Sequence, residues 1–573
     1  MGRPPSSGTD PECARGERAE PVPERPLAGW AQEAESVAGL RRFLTRGVVE
    51  QGVAWAAAVV AAGYLLSRLL GLVRSVVIAD AFGTEAELAA YWVAFRIPDL
   101  VFQLLAGATL SAAFIPVFSR VRLREGADAA WALASGVLHL ISLATLVAAS
   151  AAFVFAPWIV PLLAPGLGAG SGREAELQSL AVELTRIMLL SPIFFGISGM
   201  LTGVLNARQH FVAPALAPLL YNASIIMGAV LLAGPMGVQG LAVGVVVGSA
   251  LHLVVQLPAL VAVGMRWRPV LSLASRPVRD VLRLAAPRVI GLGASQLNVV
   301  IVLFFASFVS DQAINAVSYA FLVMMMPVAI VGMAISTAAF PLLAQQAAAR
   351  QMGALAVSVG QALSTILFLA IPASAGLVVL AAPTVRVLFQ RGAFDAGSSE
   401  LVAGVVAVYA VAVFAHAGIE IVSRGFYALS DTRTPVTVTV LAMILNAALC
   451  AALIEPFGVR GLAAAASIAA TLEFLLLGRL LSQRLRGLSP AAKRWRGSLA
   501  GSLWRTVAAT IVMVEVLVLM RLLLAAAGAD AESLGGAALV LALAGLSGLL
   551  AYVAVSLLLR NEEALRLVGR LGR

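Results

Sequence analysis

From about position 53 the chain is a succession of long apolar runs separated by short polar stretches. Fourteen helices are predicted, near 53–79, 87–118, 129–160, 178–205, 212–233, 237–264, 281–308, 313–345, 354–389, 399–428, 436–454, 458–482, 500–526 and 535–560. Most runs have the roughly 20 residues needed to cross about 30 Å of hydrocarbon. They are continuous and rich in Ala, Leu and Gly, which argues against the short alternating segments of a membrane barrel. The fold class expected is an all-α polytopic membrane protein. Residues 1–50 lack this pattern and are rich in Pro, Glu, Arg and Gly. They are expected to form a disordered cytoplasmic tail, or to reflect a start codon assigned too far upstream.

The pattern repeats. Ser111-Ala-Ala-Phe-Ile-Pro116 resembles Thr337-Ala-Ala-Phe-Pro341. The Ala156–Gly166 stretch aligns with Ala382–Gly392 at an offset of 226. Pro214 matches Pro435, and Pro235-Met-Gly-Val-Gln-Gly-Leu-Ala242 matches Pro456-Phe-Gly-Val-Arg-Gly-Leu-Ala463, at an offset of 221. Matches in constant order and nearly constant spacing predict two six-helix lobes in the same orientation, a form suited to alternating access. The domains expected are the 1–50 tail, lobes at 51–268 and 269–490, and a 491–573 segment with two further helices and a short tail.

Composition agrees: 60% of the 573 residues are hydrophobic and 12% charged, with mean hydropathy +0.94. The net charge of +10 reads as topology and gives no reason to expect nucleic acid as a partner. Arg120, Arg122 and Arg124 follow the second run. Arg266, Arg268, Arg276, Arg279 and Arg283 follow the sixth, and Arg484, Arg486, Lys493, Arg494 and Arg496 the twelfth. With an even helix count, this alternation places both termini in the cytoplasm. Two cysteines and four scattered histidines suggest neither a disulfide nor a metal site. No catalytic constellation or phosphate loop appears, so neither an enzyme nor a cofactor is expected.

Candidate chemistry lies in the charges that interrupt apolar runs. Arg68 and Arg74 fall within Gly63–Gly83, and an arginine near a bilayer centre costs about 2.5–3.5 kcal/mol on insertion scales. Such residues are kept where they face a polar cavity, here one for something anionic; the alternative for Arg74 is snorkelling to the outer interface. Six residues apart, the two stand about 240° around a helix, so they share a cavity only if it is wide or the helix bends near Gly71. Arg96 and Asp99, spaced i,i+3 around Pro98, can pair on one face, lining a cavity or locking a kink. Glu420 and Arg424 read as an internal pair. Asn222, Asn298 and Asn446 read as helix-joining hydrogen bonders.

Ser67-Arg-Leu-Leu-Gly-Leu-Val-Arg74, Ala81-Phe-Gly83 and Phe95-Arg-Ile-Pro-Asp99 resemble the opening of the MurJ (MviN) lipid II flippases. Val387-Leu-Phe-Gln-Arg-Gly-Ala-Phe394 and Phe426-Tyr-Ala-Leu-Ser-Asp-Thr-Arg-Thr-Pro-Val436 are similar to further motifs of that family. The resemblance, over about residues 50–560, implies the multidrug/oligosaccharidyl-lipid/polysaccharide exporter fold. It implies two extra C-terminal helices forming a groove for a polyprenyl tail. It also implies a cationic cavity that takes an undecaprenyl-diphosphate-linked glycan across the bacterial cytoplasmic membrane, with membrane lipids and cell-wall synthesis proteins as partners. Arg68 and Arg74 then match the family's first-helix arginines, and Arg96 a basic residue of its second helix. The chain departs from the family at Ala89, Phe102, Gly107, Phe321-Leu322 and Met325, where charged residues are usual. Three readings follow: a flippase for the same precursor, a flippase for another polyprenyl-linked saccharide, or a transport-inactive paralogue in cell-wall assembly. A gradient-coupled exporter of cationic drugs is disfavoured, because the bundle offers arginines where that chemistry needs acids.

Overall fold

The structure is a computed structural model and describes residues 53–571 apart from 106–107, 269–274 and 489–491. The expected tail at 1–50, and the lobe boundaries near 269 and 491, lie outside the described residues. Within them every regular element is helical. The first half contains α1 (Val53–Phe82), α2 (Ala86–Leu105), α3 (Ala108–Glu125), α4 (Ala127–Leu163), α5 (Glu174–Met188), α6 (Leu190–Ala207), α7 (Val212–Met227), α8 (Ala233–Met236), α9 (Gln239–Val254) and α10 (Leu257–Ala262). The second half contains α11 (Arg276–Ser307), α12 (Asp311–Pro327), α13 (Ala334–Ala348), α14 (Met352–Val379), α15 (Ala381–Phe389), α16 (Ala396–Ala410), α17 (Val413–Ala428) and α18 (Arg433–Leu488). Helices α19 (Ala492–Ala526), α20 (Leu534–Leu558) and α21 (Glu562–Leu571) complete the chain. Several predicted helices are broken. The fifth and eighth carry π-helical turns at Gly228–Leu232 and Val328–Met333, and the tenth bends by 45° between α16 and α17.

Ten helices among the described residues are long and apolar enough to cross a membrane, or eleven when the bent pair is one span. That test does not reach fourteen. It passes over α1 and α11, and it takes α18 as a single helix. Yet α18 is folded at Gly458, whose φ of 55° and ψ of −135° are not helical. Thr439 and Glu473 would stand about 51 Å apart on a straight helix, but their side chains hydrogen-bond at 2.6 Å. The two arms are therefore antiparallel.

The turn at Gly458 has a twin. Gly237, 221 residues earlier, has φ 57° and ψ −138°. A Cβ on Gly240 would strike Leu232, and one on Gly461 would strike Leu453, again at the same offset. The repeated Pro-x-Gly-Val-x-Gly-Leu-Ala motif is thus one hairpin used twice. Its first glycine supplies a backbone that L side chains rarely adopt, and its second lets the returning arm approach closely.

Apolar packing divides along the same lines. One buried cluster draws on residues between Ala113 and Val281, including Phe114, Phe118, Trp131 and Val204. A second draws on residues between Leu343 and Leu485, including Ile366, Ile421 and Leu477. A third seats α19 and α20 on α14, around Phe368, Met513, Leu517 and Tyr552. Tyr552 Oη donates to the Phe368 carbonyl at 2.6 Å there. The largest cluster takes residues from both halves and sits at one end of the molecule. Helix α11 links the halves: Val278 and Val281 belong to the first-half cluster, Val302 and Ala306 to the shared one.

Candidate functional site: a sealed end and a cavity

The shared end is built from connections that follow the first, third, seventh and ninth spans. Ala393 N donates to Asp80 O at 2.8 Å, and Asn315 Nδ2 to Glu85 O at 2.8 Å. The hydroxyls of Thr84 and Ser398 lie 2.8 Å apart. Gly168 N donates to Asp311 Oδ1 at 2.8 Å, Ser171 Oγ to Asp311 Oδ2 at 3.2 Å, and Gly166 N to Ser307 Oγ at 3.2 Å. Each bond joins the two halves. An aromatic plug backs them: Trp92 meets Tyr319 edge-on at 6.3 Å, and Tyr319 packs on Phe389 and Phe394 at 5.1 and 5.5 Å.

The seal is reciprocal. A Cβ on Gly392 would run into Asp80, at the end of the first span of the other half. A Cβ on Gly166 would run into Ser307, at the end of the seventh span, again in the other half. Gly166 and Gly392 are equivalent in the repeat. Two motifs singled out from the sequence, Ala156–Gly166 and Val387–Phe394, therefore lie where the halves meet.

Asp395 starts α16 beside this seal and accepts from Ser398 N at 2.7 Å. That backbone bond, helped by the Ser398 side chain, holds its carboxyl below the usual aspartate range. A lowered folded-state pKa stabilises above the unfolded value, near 3.9. That stability is lost as pH falls through the folded one. Asp395→Ala is expected to cost about 1 kcal/mol at neutral pH, as cap deletions do. The difference in melting temperature from the unaltered protein should shrink near pH 3; a pH-independent difference would contradict the assignment.

Away from the seal lies a cavity of 880 Å³. Its walls come from α11, α12, α13, α16, α17 and both arms of α18, with Arg96 of α2 as the residue from the first half. Thr432, Pro435 and Val436 line it at the turn between α17 and α18. That turn is the opposite end of the tenth span from Ser398 at the seal, so the cavity extends toward the unsealed end.

Arg96 stands 4.0 Å from Asp99, with both side chains 22% exposed. Gln103 Nε2 donates to Asp99 at 3.2 Å, and Arg96 Nε is buried without a partner. Asp99 pairs with a lining residue but is not itself on the cavity wall. Arg74 is half-buried, its Nε likewise buried and unpartnered, within electrostatic range of Tyr91 and Tyr221. Arg68 is exposed and held by its own helix, its Nη2 donating to Tyr64 Oη at 2.9 Å. Neither Arg68 nor Arg74 is on the wall of this cavity. The structure thus brings Arg96 and Asp99 together; Arg74 on α1 shares the neighbourhood of Tyr221 with Asp99, whereas Arg68 is held by Tyr64 on its own helix.

The second half supplies a pair that the sequence marked only as internal, and one acid that it left unmarked. Glu420 and Arg424 form the expected pair, and both line the cavity. Arg424 Nη2 also donates to Thr337 Oγ1 at 3.1 Å. Glu473 lines the wall too, accepting from Thr439. A signal existed for Glu473: it is the one acid in the run 458–482, and an intramembrane carboxylate marks a functional position by default. Asn446 Nδ2 donates to Asn298 Oδ1 at 2.8 Å, joining two helices as expected, whereas Asn222 bonds within its own helix. Among the charged wall residues, Arg96 and Arg424 are matched by Glu420 and Glu473. The balanced wall differs from the cationic one that the resemblance implies.

A family model described as lipid II flippase MurJ matches residues 78–535. The chain belongs to the MurJ family. It is 32% identical over 437 residues to the lipid II flippase MurJ of Burkholderia cenocepacia, covering 75% of this chain and 84% of that protein. It is 32% identical to a probable lipid II flippase MurJ of Vibrio cholerae over 74% of this chain and 81% of the relative. A solved lipid II flippase MurJ in an inward closed conformation superposes with a TM-score of 0.70 at 23% identity, over 87% of this chain and 97% of that one. An inward-facing multidrug resistance transporter of the MATE family shares the fold, with a TM-score of 0.62 at 16% identity, over 74% of this chain and 95% of that one. MurJ-like architecture is thus shared well beyond the range in which sequence identity is high.

Proposed function

We propose that this MurJ-family chain is a flippase that carries lipid II, the undecaprenyl-diphosphate-linked peptidoglycan precursor, across the bacterial cytoplasmic membrane by alternating access. The observation that carries this reading is the 880 Å³ cavity reaching from the interior toward one end, while the other end is closed by bonds between the halves. A headgroup enters at the open end; breaking those bonds exposes it on the far side. In this reading both termini are cytoplasmic and the seal faces outward. The lobes are 51–268 and 269–490, and the 491–573 segment carries the two added helices that flank the lipid tail. Membrane lipids surround the bundle, and cell-wall synthesis proteins receive the cargo. Arg96, oriented by Asp99, meets the diphosphate from the cavity wall, and Arg68 and Arg74 on α1 meet it as the cargo passes.

A second reading keeps the mechanism and changes the cargo to another polyprenyl-linked saccharide. The uncharged residues at Ala89, Phe102, Phe321 and Met325 favour it. Complementation separates the two. Cells depleted of their own lipid II flippase are expected to survive on this protein and to fail on Arg96→Ala at equal membrane abundance. Survival on the Arg68→Ala, Arg74→Ala double variant would remove those two from the site, and failure of the unaltered protein would favour the second reading.

A further inference from the structure

The cavity wall contains a carboxyl group with no cationic partner among the described residues. Glu420 is neutralised by Arg424, and Arg96 is balanced by Asp99. Glu473 lies on the same wall, and among the described residues it forms no ion pair; its partner is the Thr439 hydroxyl at 2.6 Å. Tyr427 is within electrostatic range of Glu420, Arg424 and Glu473 together, so one neighbourhood holds two acids and one base. A carboxylate removed from bulk water and given one neutral donor is poorly satisfied, because an ionised carboxylate has about four acceptor sites. Thr439 donates to one oxygen, and among the described residues the other has no hydrogen-bond donor.

From this placement we infer that Glu473 receives a cationic amine of the cargo headgroup, so that the cavity recognises a group bearing both signs: phosphate at Arg96 and ammonium at Glu473. The inference rests on the flippase reading above and adds a specificity element to it. The two positions come from opposite halves of the chain, Arg96 on α2 and Glu473 on the returning arm of α18. A cargo that engages both therefore bridges the parts that must move relative to each other. The presence of an acid without a basic partner on the wall follows as well. An entirely cationic cavity would suit diphosphate and repel an amine-bearing peptide, whereas a wall with one unpaired acid accepts both.

The test compares two ligands: a lipid-linked disaccharide-peptide with a free primary amine, and the same molecule N-acetylated. Binding to the purified full-length protein is read by native mass spectrometry or thermal shift. The unaltered protein is expected to bind the free amine about tenfold more tightly, the size of a charge-assisted hydrogen bond in a partly dry site. Glu473→Gln, which retains an amide oxygen for Thr439, should bind both ligands alike, at the level of the acetylated ligand. Equal affinity of the unaltered protein for the two ligands would overturn the inference without recourse to any variant. So would full discrimination by Glu473→Gln. Absence of binding to either ligand would instead count against the flippase reading itself, and Arg96→Ala, expected to weaken both ligands equally, separates the phosphate contact from the amine contact.

Discussion

Gly392→Val is expected to hold the sealed end open and to abolish complementation. The residue has φ of +51°, where a β-branched side chain is strained, and its Cβ would occupy the place of Asp80. Backbone strain of this kind costs about 1–3 kcal/mol in either state; the clash with Asp80 arises only when the halves meet, and each kcal/mol of it lowers the closed-to-open ratio about fivefold. Gly166→Val removes the equivalent contact with Ser307 and should behave in the same way. The measurement is disulfide trapping across the seal with Thr84→Cys and Ser398→Cys, positions whose hydroxyls are 2.8 Å apart. Trapping should be efficient in the parent pair and clearly slower with either valine. Unchanged trapping would mean that the glycines are not what allows the halves to close.

The second large effect concerns the repeated hairpin. Gly458→Ala and Gly237→Ala each place a side chain at φ near 56° with ψ near −136°, at a cost of about 1–3 kcal/mol apiece. The turns belong to different halves and share no partners, so their costs should add in the double variant. Thermal melting in detergent is expected to show two similar decrements and their sum. The neighbouring Gly461→Ala should be at least as damaging, since its Cβ would meet the Leu453 backbone. A neutral Gly458→Ala would show that the arms of α18 can reverse direction by another route.

The hairpins were legible in the sequence because a backbone that only glycine adopts easily must be written as glycine, and the flanking motif repeated at a fixed offset. The seal was half legible: its glycines lie in the two motifs that stood out, but their partners Asp80, Ser307 and Asp311 are brought near by tertiary packing alone. Arg96 and Asp99 could be paired from i,i+3 spacing because helix geometry is local. The place of Arg68 could not. Which side of α1 faces a cavity depends on its packing against α7, and Tyr64, one turn away, takes the guanidinium. Glu473 and Thr439 are 34 residues apart and meet only because the chain reverses at Gly458. The balance of wall charge was hidden for the same reason, since it is a property of which side chains converge and not of how many arginines the chain carries.

The reciprocal docking of Gly392 on Asp80 and Gly166 on Ser307 bears on how the two halves part. Each half holds the other at two related points, so a rocking motion that loosens one point loosens its twin. Intermediate states in which one side parts while the other holds are strained at the contact that remains. Exchange between fully shut and fully parted arrangements, with few partly open ones between, is the expected consequence.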